Sequence, residues 1–251
     1  MRVASTFVGM RFRLTFPLLC LLVYSASGVA DGAVPAESTH TSVRIMCVGD
    51  SITEGANFFS TYRYPLRDKL RAAGYTVEFV GTRSNETGTG PLAHEGYGGK
   101  NTEYLAAHVP DHFREHPADI VLLHSGHNHS VEERPVPGIV AATEKLIAGF
   151  RETNPRVTVL LAQVIPAGKL PKYSYLPELN LALAQLAARL DRPEQRVILV
   201  DQATGFDWHT DTVSDHVHPN ARGAEKMAST WFSALGKILP SPNPAHISMQ
   251  K

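Results

Sequence analysis

The sequence predicts an α/β fold in which a parallel sheet of five strands is covered by helices on both faces. Short apolar runs alternate along the chain with segments whose apolar residues recur at helical spacing, as in strand–helix–strand units. The apolar runs are continuous, which indicates strands buried on both sides. The length of 251 residues suits one such domain, and the sequence shows no internal repeat.

Each predicted element follows from these patterns. The strands are expected at residues 43–48, 76–80, 119–124, 157–164 and 197–200. The helices are expected at residues 64–73, 101–116, 136–153, 177–190 and 220–239. Gly74 suits the end of the first helix, and Pro177 suits the start of the fourth. Sites in open parallel sheets form beyond the carboxyl ends of the strands, where the motifs below lie.

The first residues have the order of a secretory signal. Arg2, Arg11 and Arg13 are followed by an apolar run at 14–24 and then by small residues through Ala30. We therefore expect a secreted or periplasmic protein with no stable membrane insertion after the signal is removed. The predicted segments are a signal peptide at 1–30, a flexible leader at 31–42, one folded domain at 43–239 and a tail at 240–251.

Composition excludes some classes of partner. The formal net charge is zero, so no basic surplus points to nucleic acid. Apolar residues make up 43% of the chain, which is too many for a disordered protein. Cys20 lies in the predicted signal, and Cys47 lies in an apolar run, so we interpret Cys47 as a small buried residue.

Two polar motifs together suggest nucleophilic catalysis. Gly49-Asp50-Ser51 follows the first strand, where a turn can present a serine hydroxyl to a crevice. Asp215 precedes His218 by three residues in the loop before the last helix. An imidazole can accept the serine proton, and a carboxylate on its other nitrogen fixes the tautomer.

Two further motifs offer hydrogen-bond donors. Asn128 follows the third strand in the segment Gly-His-Asn-His, and an asparagine amide can donate to a developing oxyanion. The segment 94–99, His-Glu-Gly-Tyr-Gly-Gly, is expected to be a loop that exposes backbone N–H groups to a ligand. Taken singly, each of the four motifs is equally explained as a turn, a helix cap or a solvated loop.

The order of the four motifs resembles the block pattern of the SGNH (GDSL-like) hydrolase superfamily. The resemblance covers about residues 44–239. GDSITEG at 49–55, HEGYGG at 94–99 and Val80-Gly81-Thr82 are most similar to its acetyl xylan esterase-like branch, carbohydrate esterase family 3. The resemblance implies a flavodoxin-like, three-layer α/β/α sandwich and an enzyme that needs no metal or organic cofactor.

The resemblance also implies roles for individual residues. Ser51 is expected to be the nucleophile, His218 the base and Asp215 the residue that orients it. Ser51, Gly99 and Asn128 are expected to form the oxyanion hole, with Gly98 and Gly96 as weaker alternatives to Gly99. The family usually has aspartate after the block asparagine, where this chain has His129. That difference concerns the shape of the loop and the choice of substrate.

Other assignments stay open at this point. His216 lies two residues from His218 and is a rival base. A metal site built from His124, His127 and His129, with His94 or His209, is an alternative that no ligand spacing supports. Candidates for substrate binding are Asp50, Arg63 beside Tyr62, and Trp208 near Phe206. For Arg63 the favoured interpretation is that it pairs with an acid or caps a structural element, and Trp208 could equally anchor its loop.

We therefore expect a serine esterase that removes acetyl or other short acyl groups, with an acylated small molecule or polysaccharide as its partner. One alternative is a lipase, thioesterase or arylesterase acting on a non-sugar ester. Another is a non-catalytic carbohydrate-binding protein on the same scaffold. The joint presence of serine, asparagine, aspartate and histidine favours an enzyme over the binding protein.

The predicted signal peptide has a direct test. Intact-mass measurement of the protein recovered outside the cytoplasm should give a chain that lacks residues 1–30, because the apolar run is followed by the small residues Gly28 and Ala30. An exported chain that still begins at Met1 would show that the segment is not cleaved.

Overall fold

The computed structural model describes residues 42–87 and 90–242. The predicted signal peptide lies outside the described residues, as do residues 31–41 of the predicted leader and residues 243–251 of the predicted tail. Among the helices that are described, none is both long and apolar enough to cross a lipid bilayer.

All five predicted parallel strands are present, together with a two-stranded hairpin. In chain order the strands are β1 (Val43–Gly49), β2 (Val77–Val80), β3 (Arg83–Thr87), β4 (Gly90–Gly96), β5 (Ile120–His124), β6 (Thr158–Gln163) and β7 (Val197–Asp201). The parallel strands lie in the order β2-β1-β5-β6-β7. The strand β1 is therefore central, and its carboxyl end opens toward the loops that follow β4 and β5.

Helices cover both faces of the sheet. They are α1 (Ser51–Glu54), α2 (Arg63–Ala72), α3 (Thr102–Glu115), α4 (Val136–Thr153), α5 (Leu176–Leu190), α6 (Trp208–Asp211) and α7 (Ala221–Leu235). Met46 and Val48 of β1 pack in a core with α3, α4 and α5. Ile45 and Cys47 pack in a second core with α1, α2 and α7. The predicted three-layer α/β/α sandwich is thus confirmed, and α7 ends at Leu235 rather than at residue 239.

The cysteine of β1 is buried, as the sequence predicts. Cys47 is a free thiol with no exposed surface. Burial raises the pKa of this thiol to about 12, so the reactive thiolate is disfavoured at neutral pH. Cys47 is therefore a packing residue of the core.

The hairpin β3–β4 corrects the predicted loop at residues 94–99. The two strands pair antiparallel, and β4 then pairs in parallel with the end of β1 through Glu95 and Gly96. Pairing of β2 with β1 stops at Met46, so Val48 and Gly49 are left for β4 to pair. The sheet therefore has seven strands rather than five, and the loop begins after Gly96.

His94 fastens this hairpin from a buried position. The Gly96 N–H donates to His94 Nδ1 over 2.9 Å, so that nitrogen carries no proton, while Nε2 contacts the Asn85 side-chain oxygen. Burial, together with the nearby guanidinium groups of Arg63 and Arg83, lowers the pKa of His94 to about 3. Protonation of His94 would break the bond from Gly96 and place a charge in the core.

This arrangement predicts a loss of stability in mild acid. The folded-state pKa of His94 lies below the value of 6.5 for an unperturbed histidine, so the unfolded chain binds the proton first as the pH falls. The contribution of His94 is complete above pH 6.5 and is lost as the pH falls toward 3. The free energy of unfolding, measured with urea, should be lower at pH 5 than at pH 7 in the unmodified protein. In His94→Asn this difference should be smaller by up to about 2 kcal/mol.

The solvent-exposed His108 supplies the matched control, His108→Asn. If the His94→Asn protein lost as much free energy of unfolding between pH 7 and pH 5 as the unmodified protein, His94 would not be the group responsible.

Candidate active site

Three residues predicted from two separate motifs meet at the carboxyl end of the sheet. Ser51 begins α1 directly after β1, and His218 lies in the loop before α7. Ser51 Oγ is 2.8 Å from His218 Nε2, and His218 Nδ1 is 2.5 Å from Asp215 Oδ2. The structure therefore places a hydroxyl, an imidazole and a carboxylate in one continuous line of hydrogen bonds.

Asp215 is held by its own loop. Its Oδ1 accepts hydrogen bonds from the backbone N–H groups of Val217, over 2.9 Å, and His218, over 3.0 Å. Partial burial opposes ionisation of this carboxyl, but the hydrogen bond with the His218 ring and the two backbone bonds outweigh it and hold the pKa of Asp215 below its usual value. Asp215 is therefore ionised at neutral pH and can orient the ring of His218.

His216 occupies a different position from His218. Its backbone has φ of +60°, and its exposed ring packs edge-on against Trp208, with the ring centres 5.2 Å apart. The His216 carbonyl accepts a hydrogen bond from the Gly168 N–H over 2.7 Å. Because the two histidines face different partners, only the ring of His218 contacts Ser51.

A pocket of about 300 Å³ lies over Ser51 and contains the predicted anion-binding donors. We call it the catalytic pocket; it is lined by Ser51, Glu54, Gly55, Ala56, Phe58, Phe59, Gly98, Gly99, Asn128 and His218. Within the described chain, the backbone N–H groups of Ser51 and Gly99 make no hydrogen bond. Asn128 donates one amide hydrogen to the Lys100 carbonyl over 2.8 Å, which leaves its second amide hydrogen for a ligand.

The structure also distinguishes among the candidate glycines. The Gly98 N–H donates to Glu54 Oε2 over 2.6 Å, so that donor is already used. Gly96 belongs to β4 and pairs with Gly49. Gly99 has φ of +71°, a conformation that favours glycine, and this turn leaves its N–H without a partner in the described residues.

Comparison with known proteins agrees with this geometry. The model of the GDSL-like lipase/acylhydrolase family matches residues 47–226, which is well over half of the chain. The chain belongs to the GDSL-like lipase/acylhydrolase family. It is therefore a carboxylic ester hydrolase, and the SGNH/GDSL prediction is confirmed.

One relative of this acylhydrolase is an esterase of several domains. It is 27% identical over 262 residues to a multidomain esterase of Ruminococcus flavefaciens; the match covers 89% of this chain but 32% of that protein. The chain thus spans about a third of the length of this relative.

Two solved structures share the fold. A carbohydrate esterase family 3 protein from Talaromyces cellulolyticus is 23% identical, with a TM-score of 0.70 over 78% of this chain and 97% of that one. A family 3 carbohydrate esterase from Clostridium thermocellum is 26% identical, with a TM-score of 0.68 over 79% of this chain and 97% of that one.

Asp50 of the acylhydrolase is buried beneath Ser51, which removes it from the candidates for substrate binding. Only 1% of its surface is exposed. Its Oδ1 accepts from the Ile52 N–H over 3.0 Å and caps α1, and its Oδ2 lies 3.9 Å from His127 Nδ1. Burial raises the pKa of the Asp50 carboxyl. Asp50 therefore caps the helix that begins at Ser51 and faces the loop of Asn128 from below.

Arg63 is likewise buried and supports the structure, which favours the capping alternative named above over contact with substrate. Its side chain donates to the carbonyl groups of Thr53, over 2.7 Å, Glu54, over 2.8 Å, and Leu92, over 3.0 Å. The first two carbonyls end α1, and the third belongs to β4. Through these bonds the buried Arg63 caps α1 and fastens the hairpin to it.

The histidines around Asn128 have separate partners. His127 Nε2 donates to the Ile165 carbonyl over 2.8 Å, and the rings of His124 and His127 stack with their centres 5.6 Å apart. Burial lowers the pKa of both rings. His129 turns away and contacts Glu133 over 2.7 Å and Glu103 over 2.9 Å.

These contacts bear on the alternative metal site. No cluster of three or more histidine, cysteine, aspartate or glutamate side chains in residues 42–87 and 90–242 is placed to hold a metal ion. His94 is engaged with the hairpin, and His209 stacks on Trp208 with ring centres 3.5 Å apart. Apart from the stacked pair His124 and His127, the histidines that the alternative needs thus have separate partners.

Trp208 does not reach the catalytic pocket. Its ring lies against His209 and His216, and a Cβ added at Gly168 would meet it at 2.2 Å. Phe206, in the same loop, is buried. The structure therefore favours the reading of these aromatic residues as anchors of the loop that carries Asp215, and it corrects the substrate-binding assignment of Trp208.

Two residues of the site escaped the sequence analysis. Phe59 is buried and stacks on the ring of His218, with ring centres 4.1 Å apart and planes 21° apart. Phe58 is 71% exposed and lines the catalytic pocket. The adjacent pair of aromatic residues soon after the nucleophile was visible in the sequence, but nothing in the pattern connected it with a histidine far along the chain.

Proposed function

We propose that this acylhydrolase is a serine esterase in which Ser51 attacks the ester, His218 acts as base and Asp215 orients His218. The observation that carries the proposal is the line of hydrogen bonds from Ser51 Oγ through the imidazole to Asp215, at 2.8 and 2.5 Å. A serine hydroxyl is a weak nucleophile until a neighbouring base accepts its proton, and this arrangement supplies that base.

The reaction proceeds in two acyl-transfer steps. Ser51 Oγ bonds to the carbonyl carbon while its proton passes to His218 Nε2, and the collapsing tetrahedral intermediate expels the alcohol, which takes that proton. Water then gives a proton to His218 and attacks the acyl-enzyme, and release of the carboxylic acid returns the proton to Ser51. The carboxylate of Asp215 stabilises the imidazolium in both steps.

The oxyanion is expected to be bound by three N–H groups. The backbone N–H groups of Ser51 and Gly99 have no acceptor in the described structure, and the Asn128 amide has one hydrogen to spare. All three residues line the catalytic pocket. Loss of one such donor typically raises the barrier by about 3–4 kcal/mol.

The substrate class that the site supports best is a short acyl ester, acetyl above all, on a carbohydrate. The catalytic pocket is small, about 300 Å³, which suits a short acyl group. The 26% identity to a family 3 carbohydrate esterase supports a sugar as the alcohol. The aligned hydroxyl, imidazole and carboxylate support turnover over a role confined to carbohydrate binding. Action outside the cytoplasm is part of the same proposal.

Substitution of the two loop histidines separates their roles. His218→Ala should lower kcat/KM for ethyl acetate by roughly 10⁴- to 10⁶-fold, because the triad acts as a unit. His216→Ala is the matched control and should cost less than about tenfold, because its ring contacts Trp208 rather than Ser51. Asp215→Asn should cost roughly 10⁴-fold, because the amide favours the wrong tautomer of His218.

Circular dichroism of each purified variant controls for misfolding. A folded His218→Ala protein with near-normal turnover would remove His218 from the reaction, and loss of turnover in His216→Ala alone would assign the base to His216.

A further inference from the structure

Two of the donors proposed for the oxyanion lie on separate segments of the chain. Gly99 lies in the turn before α3, and Asn128 lies in the loop after β5. A developing oxyanion is stabilised when its donors already hold the right positions, and a misplacement of about 1 Å can cost a factor of about 100 in rate. The placement of one segment relative to the other therefore bears directly on the reaction.

His129 connects these two segments through its ring. The residue is only 8% exposed, and its ring lies between two carboxylates. Nε2 is 2.9 Å from Glu103 Oε2, in the first turn of α3, and Nδ1 is 2.7 Å from Glu133 Oε2, in the short helical turn at residues 131–133. Glu103 follows Gly99 closely in the sequence, so the residue after Asn128 is tied to the helix that follows the Gly99 turn.

Both ring nitrogens of His129 have to donate in this arrangement. An ionised carboxylate only accepts hydrogen bonds, so each of the two contacts needs an N–H, and a ring that carries both is an imidazolium. The hydrogen bond with His129 lowers the pKa of Glu133, and the ammonium group of Lys172 acts in the same direction. The bridge thus consists of two charge-assisted hydrogen bonds, which are stronger than bonds between neutral groups.

Two further contacts join the loop to the same side. Ser125 Oγ is 2.9 Å from Thr102 Oγ1, and the Asn128 amide donates to the Lys100 carbonyl over 2.8 Å. Both of these bonds join neutral groups. His129 therefore adds the charged contact between the loop and the start of α3, directly after the residue whose amide is to bind the oxyanion.

The other side of the loop is held by different groups. The Tyr175 hydroxyl donates to the Gly126 carbonyl over 2.6 Å, and the Val131 N–H donates to the Lys172 carbonyl over 2.9 Å. The segment from His127 to Ser130 lies between these two anchors. Loss of the His129 bridge should therefore shift the Asn128 amide without unfolding the loop.

We infer that His129 is a positioning residue, whose bridge between Glu103 and Glu133 holds the Asn128 amide in place relative to the Gly99 N–H. This inference rests on the proposed esterase function and gives a role to a residue that does not line the catalytic pocket. Aspartate, which the family usually has at this position, would be an anion between two anions and could not form the bridge.

Loss of the bridge should act on kcat rather than on KM. In His129→Ala we expect kcat for ethyl acetate to fall by about 10- to 100-fold and KM to change by less than about threefold, because an oxyanion donor acts on the transition state. His129→Asp should lose at least as much as His129→Ala, because its carboxylate repels Glu103 and Glu133. A folded His129→Ala protein whose kcat stays within about twofold of the unmodified protein would overturn the inference.

A double-mutant cycle separates a role through Asn128 from a general loss of structure. Asn128→Ala already lacks the donor, so the addition of His129→Ala should lower kcat by less than about twofold further. If His129→Ala lowered kcat by the same large factor in both backgrounds, His129 would not act through Asn128, and the inference would be wrong.

The contact with Glu103 has its own conservative variant. Glu103→Ala should lower kcat about as much as His129→Ala, and Glu103→Gln should restore most of the loss, because its amide oxygen still accepts a hydrogen bond from His129. The matched control is Glu115→Ala, which removes an exposed glutamate at the opposite end of α3. Equal kcat in Glu103→Ala and in this control would exclude the bridge.

Failure of the proposed function has a different appearance, namely no hydrolysis of ethyl acetate by the unmodified protein. Hydrogen exchange followed by mass spectrometry then decides whether His129 positions the loop. Amide exchange in peptides that span residues 99–105 and 126–131 should be faster in His129→Ala than in the unmodified protein and in Glu115→Ala. Unchanged exchange in both peptides would overturn the inference.

Discussion

The position of Ser51 depends on one close approach of backbones at the end of the central strand. A side chain at Gly49 would place its Cβ 2.2 Å from the His124 carbonyl of the neighbouring strand and 2.4 Å from the Thr53 hydroxyl. The absence of that side chain lets β1 and β5 end side by side and lets α1 turn back over the sheet. Ser51 thereby lies beside the loop of Asn128 on one side and the Gly99 turn on the other.

The remainder of the site holds this turn in place with buried polar groups. Arg63 binds the carbonyls at the end of α1, and Asp50 caps its start. Each unpaired carbonyl group in such a position would lower the stability of the fold by about 1–3 kcal/mol. A buried helix of one turn therefore requires the arginine. The last partner is His218. Asp215, which lies in the same loop, binds both the backbone N–H and the ring of His218.

The parallel sheet was predictable because its strands are continuous apolar runs. Strands that are buried on both faces need apolar residues at nearly every position. The hairpin β3–β4 was not predictable in this way. Its second strand, with Gly90, Pro91, Glu95 and Gly96, shows no apolar alternation, and it forms because β2 leaves the end of β1 unpaired.

The meeting of Ser51, His218 and Asp215 was predictable for a related reason. Asp215 and His218 lie in one loop, and Ser51 follows a strand, so local patterns were enough to suggest all three. The burial of Asp50 and Arg63 and the stacking of Phe59 on His218 depend on residues far apart in the chain. No local pattern encodes such contacts, so the sequence left the roles of Asp50 and Arg63 open between binding a ligand and supporting the backbone.

The central claim is that the Ser51 hydroxyl is the group activated by His218. Its most direct test is covalent labelling of the full chain with a short alkyl fluorophosphonate, followed by peptide mapping. The account predicts one label per chain, located on Ser51, and much slower labelling of the His218→Ala protein, since the phosphonate reacts only with an activated hydroxyl. A label on another serine, or an active enzyme that takes up no label, would contradict it.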